Sequence, residues 1–305
     1  MTDSRETSAL TNTAPRKVVG TKRFREPMPQ PISTRIFTVA NQKGGVGKTT
    51  SAVNVAAALA MGGLRTLIID LDPQGNASTA FGIARDEVQG MYEVITKDLP
   101  IQDAALKIPG FPHLEVVPAT QSLANAEVEL VPMVARELRL KKALTNYLSQ
   151  AANRGERFDY VIIDCPPSLG LLTINALVAA DELLIPIQCE YYSLEGLTLL
   201  LYTVALIQEH LNPNIKLTTI LLTMFDGRTR LANDVADEVR KHYPDQLIDI
   251  PIPRAVRVSE APSYGQTVMT YDPSSNGAEA YGLVAREIAR RGAGTIKNAT
   301  EVGVG

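Results

Sequence analysis

The segment Asn41 to Thr50, which reads NQKGGVGKTT, has the composition of a loop that holds phosphate. Glycines lack a Cβ, so successive backbone N–H groups can turn toward phosphate oxygens, and the helix that follows adds its positive N-terminal end. Lys48 is placed to reach the β and γ phosphates of a nucleoside triphosphate, and the Thr49 hydroxyl is placed to bind the accompanying Mg²⁺. The segment therefore predicts a P-loop, although Gln42 stands where the general pattern has glycine.

Two aspartates, Asp70 and Asp72, stand at the end of an apolar segment that begins at Thr66. Side chains alternate along a strand, so the two carboxylates are predicted to lie on the same side. Carboxylates at a strand end that faces a P-loop can order the water ligands of Mg²⁺ or position the water that attacks the γ-phosphate. Both aspartates are therefore candidates for metal binding and hydrolysis.

A third aspartate, Asp164, closes the apolar segment Tyr160 to Ile163. An aspartate at the end of a buried strand is the Walker B arrangement, in which the carboxylate holds Mg²⁺ beside the nucleotide. Pro166 and Pro167 follow and force the chain out of the sheet into a loop. Because the other two motifs precede it in the expected order, Asp164 is predicted to bind the metal.

These motifs follow apolar segments that have the length of buried strands. The predicted strands are Ile36 to Ala40, Thr66 to Leu71, Leu114 to Val117, Tyr160 to Ile163, Leu183 to Ile187, Leu217 to Met224 and Leu247 to Ile252. Helical patterns lie between them, with buried faces predicted at Val53, Ala56, Ala57 and Ala60 and at Leu231, Val235 and Val239. This alternation predicts an α/β fold, a doubly wound, mostly parallel sheet with helices on both faces. Ligands of such sheets bind beyond the carboxyl ends of the strands, where the three motifs lie.

The composition is that of an ordinary globular protein, with 305 residues, 45% hydrophobic and 21% charged. The longest apolar run, Leu197 to Ile207, is shorter than the roughly 20 residues that a membrane-spanning helix needs. No apolar stretch follows the N-terminal charges, so a cytoplasmic location is expected. The net charge is −3, so any contact with nucleic acid requires a local basic surface. The two cysteines, Cys165 and Cys189, lie in apolar segments and are predicted to be buried thiols.

Lys43 is a second lysine at the head of the loop, and the run KGGVGKTT resembles the signature of the deviant Walker A class of P-loop ATPases. The segment Asp70 to Asn76, DLDPQGN, matches the second motif of that class. The resemblance extends from Arg35 to Arg291 and is closest to the ParA family of chromosome and plasmid partition ATPases. Two later segments, Leu222 to Arg230 and Ile250 to Ser263, are also typical of ParA proteins.

The resemblance implies an ATPase that uses ATP and Mg²⁺ and forms a homodimer with ATP, in which Lys43 reaches the partner's nucleotide. The residues that it implies for catalysis are Lys43, Lys48 and Asp72, of which Asp72 is the hydrolytic aspartate. The implied metal ligands are Thr49, Asp72 and Asp164, with Asp70 in support. The implied nucleotide contacts are Lys43, Gly44, Gly45, Val46, Gly47, Lys48, Thr49 and Thr50, joined near the base by Met224, Pro251, Ile252 and Pro253.

ParA-type dimers bind double-stranded DNA without sequence preference, through cations that contact phosphates. The resemblance places Arg228 and Arg257 on the DNA-facing surface, with Arg230 and Arg254 as further candidates. It also implies a ParB-type centromere-binding partner that stimulates slow hydrolysis and releases the dimer from DNA. The expected function is therefore ATP-dependent DNA segregation at the nucleoid, in which an origin or other cargo is moved or positioned.

The composition predicts a flexible basic arm (residues 1–33) and a flexible, Gly-rich tail (293–305), and the resemblance implies a ParA-type P-loop ATPase domain between them (34–292). Two other functions share the ATPase chemistry. An orphan relative would position a different cellular cargo. A MinD-like division regulator would bind membrane through an amphipathic C-terminal helix, and residues 293–305 show no amphipathic period.

Overall fold

The computed structural model describes residues 26–190 and 193–294. One eight-stranded sheet organises them. Its strands are β1 (Arg35–Val39), β2 (Thr66–Asp70), β3 (Leu106–Lys107), β4 (Leu114–Val117), β5 (Tyr160–Asp164), β6 (Glu182–Gln188), β7 (Lys216–Thr223) and β8 (Leu247–Ile248). The spatial order is β3-β4-β2-β5-β1-β6-β7-β8, and the pairs are parallel except for β3 with β4.

Helices cover both faces of this sheet. They are α1 (Lys48–Met61), α2 (Asn76–Ala80), α3 (Met91–Lys97), α4 (Ile101–Ala104), α5 (Leu123–Leu130), α6 (Arg139–Asn153), α7 (Leu171–Ala179), α8 (Ser193–His210), α9 (Arg230–His242), α10 (Val256–Glu260), α11 (Val268–Tyr271) and α12 (Asn276–Gly292). A 3₁₀ helix, Ala261–Tyr264, follows α10. Strand β2 shows why a layer of helices is needed on each face of the sheet, because its side chains are buried on both faces. Ile68 packs into the core with α1 and α12, while Leu67 and Ile69 pack into the core on the other face. The predicted doubly wound α/β fold is confirmed.

Six of the predicted strands agree with the structure to within one residue at each end. The last strand is shorter than predicted, because β8 ends at Ile248 and Pro251 cannot donate a ladder hydrogen bond. Strand β3 is absent from the prediction, since its two residues are too few to show an alternating pattern. It adds an antiparallel edge to the sheet.

The buried face of α9 also differs from the prediction. Leu231 is 46% exposed, whereas Ala232 and Ala236 are buried together with Val235 and Val239. Small residues at the helical spacing therefore belong to the buried face, and Leu231 lies outside it. Among the described residues, no helix combines the length and the apolar character that crossing a membrane requires.

Residues 26–33, predicted as the end of a flexible arm, pack against the domain. Met28 is buried, and its N–H donates to the carbonyl of Gly62, 2.9 Å away, at the end of α1. The guanidinium of Arg157 donates to the carbonyls of Pro31 and Ile32 at 3.0 and 2.8 Å. The packed domain thus begins by Met28 rather than at residue 34. Residues 1–25 and 295–305, most of the predicted arm and tail, lie outside the described part of the chain.

Candidate nucleotide site

The three sequence motifs meet at one edge of the sheet, because they follow three neighbouring strands. Strand β5 lies between β1 and β2, and Asp164 is in register with Val39 of β1 and with Asp70 of β2. The loop from Asn41 follows β1 directly. Parallel strands bring their carboxyl ends to the same edge, so the loop and the acidic side chains face a common space.

The P-loop backbone is fixed by contacts with neighbouring side chains. Gly47 has a φ of 87°, in the left-handed region that favours glycine, and it precedes the first residue of α1. The Thr223 hydroxyl, at the end of β7, donates to the carbonyl of Val46 at 2.8 Å. The N–H of Lys43 donates to Oδ1 of Asn41 at 3.0 Å. These bonds hold the loop in a shape that exposes its backbone to a ligand.

Lys48 is a buried cation at the start of α1. Its residue is 6% exposed, and its ammonium donates to the carbonyl of Lys43 at 3.0 Å. Burial lowers the pKa of Lys48, while the nearby carboxylates of Asp164 and Asp72 oppose that shift. An ammonium held there can bind phosphate oxygens, because it has further donors to offer and little water around it.

Lys43 forms an ion pair with Glu190, a residue that the sequence motifs do not include. Its ammonium lies 2.7 Å from Oε2 of Glu190, which follows β6, and the other carboxylate oxygen of Glu190 accepts from the Gln188 amide at 2.6 Å. Lys43 does not line the cavity described below. In this single chain, Lys43 is therefore paired with an acid of its own subunit. No local motif surrounds Glu190, so only the fold could reveal this pair.

Asp164 is the least satisfied charged group of the site. It is fully buried, and neither carboxylate oxygen makes a hydrogen bond of normal geometry within the described residues. Burial, followed by the charge of Asp70, raises the pKa of Asp164 well above its ordinary value, although the nearby Thr49 hydroxyl counteracts this. A buried carboxylate without donors is costly, so this position favours a positive ligand.

Asp70 and Asp72, which the sequence predicts on the same side of a strand, are held by different contacts. Strand β2 ends at Asp70, so the alternation does not continue to Asp72. The carboxylate of Asp70 is fully buried and accepts from the N–H and the hydroxyl of Ser78 at 2.7 and 2.6 Å. Asp72 instead lines the cavity, and its Oδ1 accepts from the N–H of Gln74 at 3.0 Å.

The residues present fit a magnesium nucleotide better than a metal held by protein alone. In the part of the chain that the structure describes, no group of three or more His, Cys, Asp or Glu side chains could hold a metal ion. Mg²⁺ is commonly held by one or two carboxylates together with substrate phosphates and water. The unpaired oxygens of Asp164, beside Thr49, offer this incomplete set of ligands.

A cavity of about 410 Å³ opens in front of the P-loop. Its wall near the loop contains Gly44, Gly45, Gly47, Lys48, Thr49, Thr50 and Asp72. Other lining residues are Met224, Val258, Pro262, Gln266, Thr267 and Val268. Phosphates fit the first group, which carries N–H groups and a cation, and a nucleobase fits the second group, which is more apolar.

The base end of the cavity differs from the prediction. Met224 lines the cavity, but Pro251, Ile252 and Pro253 do not. Ile252 is 2% exposed, and its N–H donates to the carbonyl of Leu222 at 2.8 Å, so this segment continues alongside β7. Residues 258–268 contribute to the wall instead. Val46, also predicted to contact nucleotide, is buried and does not line the cavity.

We expect the protein without nucleotide to lose stability as the pH rises from about 4 to beyond 6. Burial raises the pKa of Asp70 to about 6, and it raises that of Asp164 well above the usual range. The folded state then binds protons more tightly than the unfolded state, so this stabilisation is present below about pH 4 and is lost as the pH passes the folded pKa values. For Asp70 the loss is on the order of 2–3 kcal/mol.

Urea unfolding at pH 4.5 and pH 7.5 measures this effect, because most of the loss lies between these two values. Asp164→Asn is the matched variant, since its neutral amide should flatten the pH dependence and stabilise the protein at pH 7.5. A urea midpoint that rises with pH in the unmodified chain would contradict the assignment. So would a variant whose urea midpoint depends on pH as strongly as that of the unmodified chain.

The four arginines predicted to contact DNA lie on two segments that the fold brings together. The N–H of Phe225 donates to the carbonyl of Ile252 at 2.9 Å, and that of Arg254 donates to the carbonyl of Phe225 at 3.3 Å. The Arg228 guanidinium forms two bonds with Asp226, at 2.8 and 2.6 Å. The remaining three predicted arginines are also exposed. Arg230 lies near Asp234, and Arg257 lies near Glu260 and Asp272. The third is Arg254.

Comparisons with known proteins agree with this geometry. A family model described as an AAA domain matches residues 34–217, more than half of the chain. The sporulation initiation inhibitor protein Soj of Bacillus subtilis is 51% identical over 259 residues, which cover 85% of this chain and 99% of Soj. The chromosome partitioning protein ParA of Myxococcus xanthus is 50% identical over 258 residues, which cover 84% of this chain and 88% of ParA.

A solved structure of similar fold contains a nucleotide and a metal. It is a cobyrinic acid a,c-diamide synthase from Mycobacterium smegmatis with bound ADP and magnesium. It is 36% identical, has a TM-score of 0.71, and matches 85% of this chain and 95% of its own. Its ligands are those that the cavity and the buried Asp164 favour here.

Proposed function

The chain belongs to the ParA and Soj family of partitioning P-loop ATPases, and we propose that it is an ATP-dependent DNA segregation protein. It is an ATPase that uses ATP and Mg²⁺. We propose that ATP closes two copies into a dimer, that the dimer binds DNA without sequence preference, and that hydrolysis releases it. Such a cycle moves or positions the cargo that stimulates hydrolysis.

The strongest support for the proposal is the meeting of three motifs at one edge of the sheet. The P-loop, Asp72 and Asp164 come from segments far apart in sequence and follow neighbouring strands. Identity to the partitioning relatives reaches 46–51%, against 36% for the diamide synthase. Partitioning is therefore the better supported activity for this site.

In the proposed reaction, this chain's residues bind the phosphates and position water. The P-loop N–H groups and the Lys48 ammonium hold the triphosphate, while the Thr49 hydroxyl and the carboxylate of Asp164 would hold Mg²⁺. When bound, Mg²⁺ neutralises charge on the β and γ phosphates. Asp72 orients the attacking water, because it lines the cavity and its second oxygen, Oδ2, accepts no hydrogen bond within the described residues.

Lys43 connects the site to a second copy in this proposal. Its partly exposed ammonium is bound to Glu190 rather than to its own cavity, so it is available to a nucleotide held by the partner once that pair separates. A partly exposed ion pair contributes little to stability, so its exchange is inexpensive. The dimer would then form only when nucleotide is present.

The proposed DNA surface is the pair of joined segments that carry Arg228, Arg230, Arg254 and Arg257. Acidic neighbours such as Asp226 hold the guanidinium groups in place, and DNA phosphates compete with them. Exposed pairs of this kind are weak, whereas release of counterions from DNA favours binding at low salt. We place the protein in the cytoplasm at the nucleoid, with a ParB-type protein as the partner that stimulates hydrolysis.

DNA binding tests the proposal directly. The full-length protein is mixed with a random-sequence duplex and ATP, ADP or no nucleotide, across a series of salt concentrations. We expect binding only with ATP, with an affinity that falls steeply as salt increases. Absence of binding at low salt, although ATP occupies the site, would exclude the DNA switch and favour an orphan ATPase with a protein cargo.

The arginines give a second expected result. Arg228→Ala and Arg257→Ala should each reduce the slope of log affinity against log salt by about 0.9 for each phosphate that the variant no longer binds. The matched control is Arg154→Ala, another exposed arginine whose guanidinium pairs with Glu156. An equal reduction in the control and the test variants would mean that the two segments are not the DNA surface.

A further inference from the structure

Arg85 is bound only to backbone carbonyls in the part of the chain that the structure describes. Its guanidinium donates to the carbonyls of Pro73 and Gln74, both at 2.5 Å, and of Ala119 at 2.8 Å. A longer bond of 3.4 Å joins it to the carbonyl of Thr120. No carboxylate among the described residues pairs with it. The arginine guanidinium has five N–H donors in one plane and can therefore bind several carbonyls at once. The single ammonium of a lysine could not make all of these bonds.

Two of the carbonyls that Arg85 binds belong to the turn that follows Asp72. In that turn the N–H of Gln74 donates to Oδ1 of Asp72 at 3.0 Å, and the N–H of Gly75 donates to the carbonyl of Asp72 at 2.8 Å. The direction of the Asp72 carboxylate therefore depends on where the peptides of residues 73–75 lie. Arg85 holds these peptides through their carbonyls, while Asp72 binds them through their N–H groups.

Arg85 also binds the carbonyl of Ala119, which lies next to the sheet. Ala119 lies just beyond β4, and its N–H donates to the Ser78 hydroxyl at 3.0 Å. The same hydroxyl donates to Asp70 at 2.6 Å. Arg85 thus connects the turn after Asp72 to a residue that is already held, through Ser78, by a buried carboxylate.

Gly75 leaves the space that the guanidinium occupies. A Cβ built on Gly75 would overlap the guanidinium carbon of Arg85. Gly75 also has a φ of 65°, a conformation that favours glycine. The turn and the arginine are therefore fitted to each other, in addition to being hydrogen-bonded.

We propose that Arg85 is a positioning residue for ATP hydrolysis, which holds the Pro73–Gln74 turn so that the Asp72 carboxylate keeps its direction at the cavity. Arg85 does not line the cavity, so it acts through Asp72 rather than on ATP. This inference rests on the proposed role of Asp72 in hydrolysis. It assigns a function to a residue that lies outside all three sequence motifs.

Three variants of the full-length protein test the inference. Arg85→Met keeps much of the length of the side chain but removes every donor, and Arg85→Lys keeps the charge with fewer donors. Arg154→Met is the control, since Arg154 is exposed and its guanidinium pairs with Glu156. Each variant is assayed for single-turnover hydrolysis of Mg·ATP, for ATP affinity, and for amide hydrogen exchange in residues 72–78.

We expect Arg85→Met to reduce the hydrolysis rate on the order of tenfold, since a displacement of about 1 Å can cost about a hundredfold. ATP affinity should stay within about twofold, because the phosphate contacts are unchanged. Exchange should accelerate in residues 72–78 and remain unchanged in α1 and α12. Arg85→Lys should recover part of the rate, and Arg154→Met should behave like the unmodified chain.

Two results would overturn the inference. One is an unchanged hydrolysis rate in Arg85→Met when Asp72→Ala is inactive. The other is a reduced rate in both Arg85 variants with faster exchange throughout the domain, which would make the role structural. Hydrolysis at the normal rate by Asp72→Ala would instead remove the proposed role of Asp72, whatever the Arg85 variants do.

Discussion

Asp72→Ala is expected to hydrolyse ATP at least about a hundredfold more slowly than the unmodified chain, which is the scale of effect when a group that transfers a proton or positions water is removed. Its affinity for ATP should change by less than about threefold, because the P-loop and Lys48 still hold the phosphates. Asp72 is 6% exposed and lines the cavity, while Asp70 is engaged by Ser78. Phosphate release and binding of a fluorescent ATP analogue measure the two quantities.

The same variant should remain on DNA longer than the unmodified chain, since the step that ends the bound state is removed. Asp72→Asn tests whether charge or only volume matters, and Asp103→Ala, an exposed position on α4, is the control. Hydrolysis by Asp72→Ala at the unmodified rate would show that another residue positions the water. Normal dissociation from DNA in the absence of hydrolysis would uncouple the two steps.

Lys48→Gln is expected to weaken ATP binding on the order of a hundredfold, because charge-assisted hydrogen bonds to phosphate are the strong ones. The substitution also removes the buried cation that attracts the carboxylates of Asp164 and Asp72. Lys43→Gln is the matched comparison, five residues earlier in the same loop. Its ammonium faces Glu190, so ATP binding by a single chain should fall less than about threefold.

The two lysines should therefore separate binding from assembly. Titration with a fluorescent ATP analogue measures affinity, and light scattering measures the dimer in the presence of ATP. We expect Lys48→Gln to lose both and Lys43→Gln to lose only the dimer. A Lys43→Gln variant that dimerises normally with ATP would contradict the proposed role of this lysine across the interface.

The strands and the phosphate loop could be predicted from the sequence, because both depend on local patterns. The buried strands are continuous apolar runs, and Gly47 and Lys48 belong to one short motif. The buried face of α9 is harder to predict, because Ala232 and Ala236 carry a weaker hydrophobic signal than the exposed Leu231. The segment 251–253 resembles a base pocket in sequence, yet its backbone pairs beside β7 and leaves the cavity wall to later residues.

The contacts that orient the site could not be predicted, because they join segments that are distant in sequence. Glu190 meets Lys43 across 147 positions, and Ser78 meets Ala119 across 41. Arg85 is a single arginine in a polar loop, and its partners are backbone carbonyls that have no sequence signature. Only the folded chain shows which of many arginines makes these contacts.

The packing of Met28 against Gly62 places the first described residues beside one end of α1. Helix α1 begins at the phosphate loop and ends before Gly62, and its 14 residues span roughly 20 Å at about 1.5 Å per residue. An attachment made at the exposed Glu26, two residues before Met28, therefore lies at the end of α1 remote from ATP. A chain immobilised through that position would present the nucleotide edge away from the support, an orientation suited to surface-based kinetic measurements.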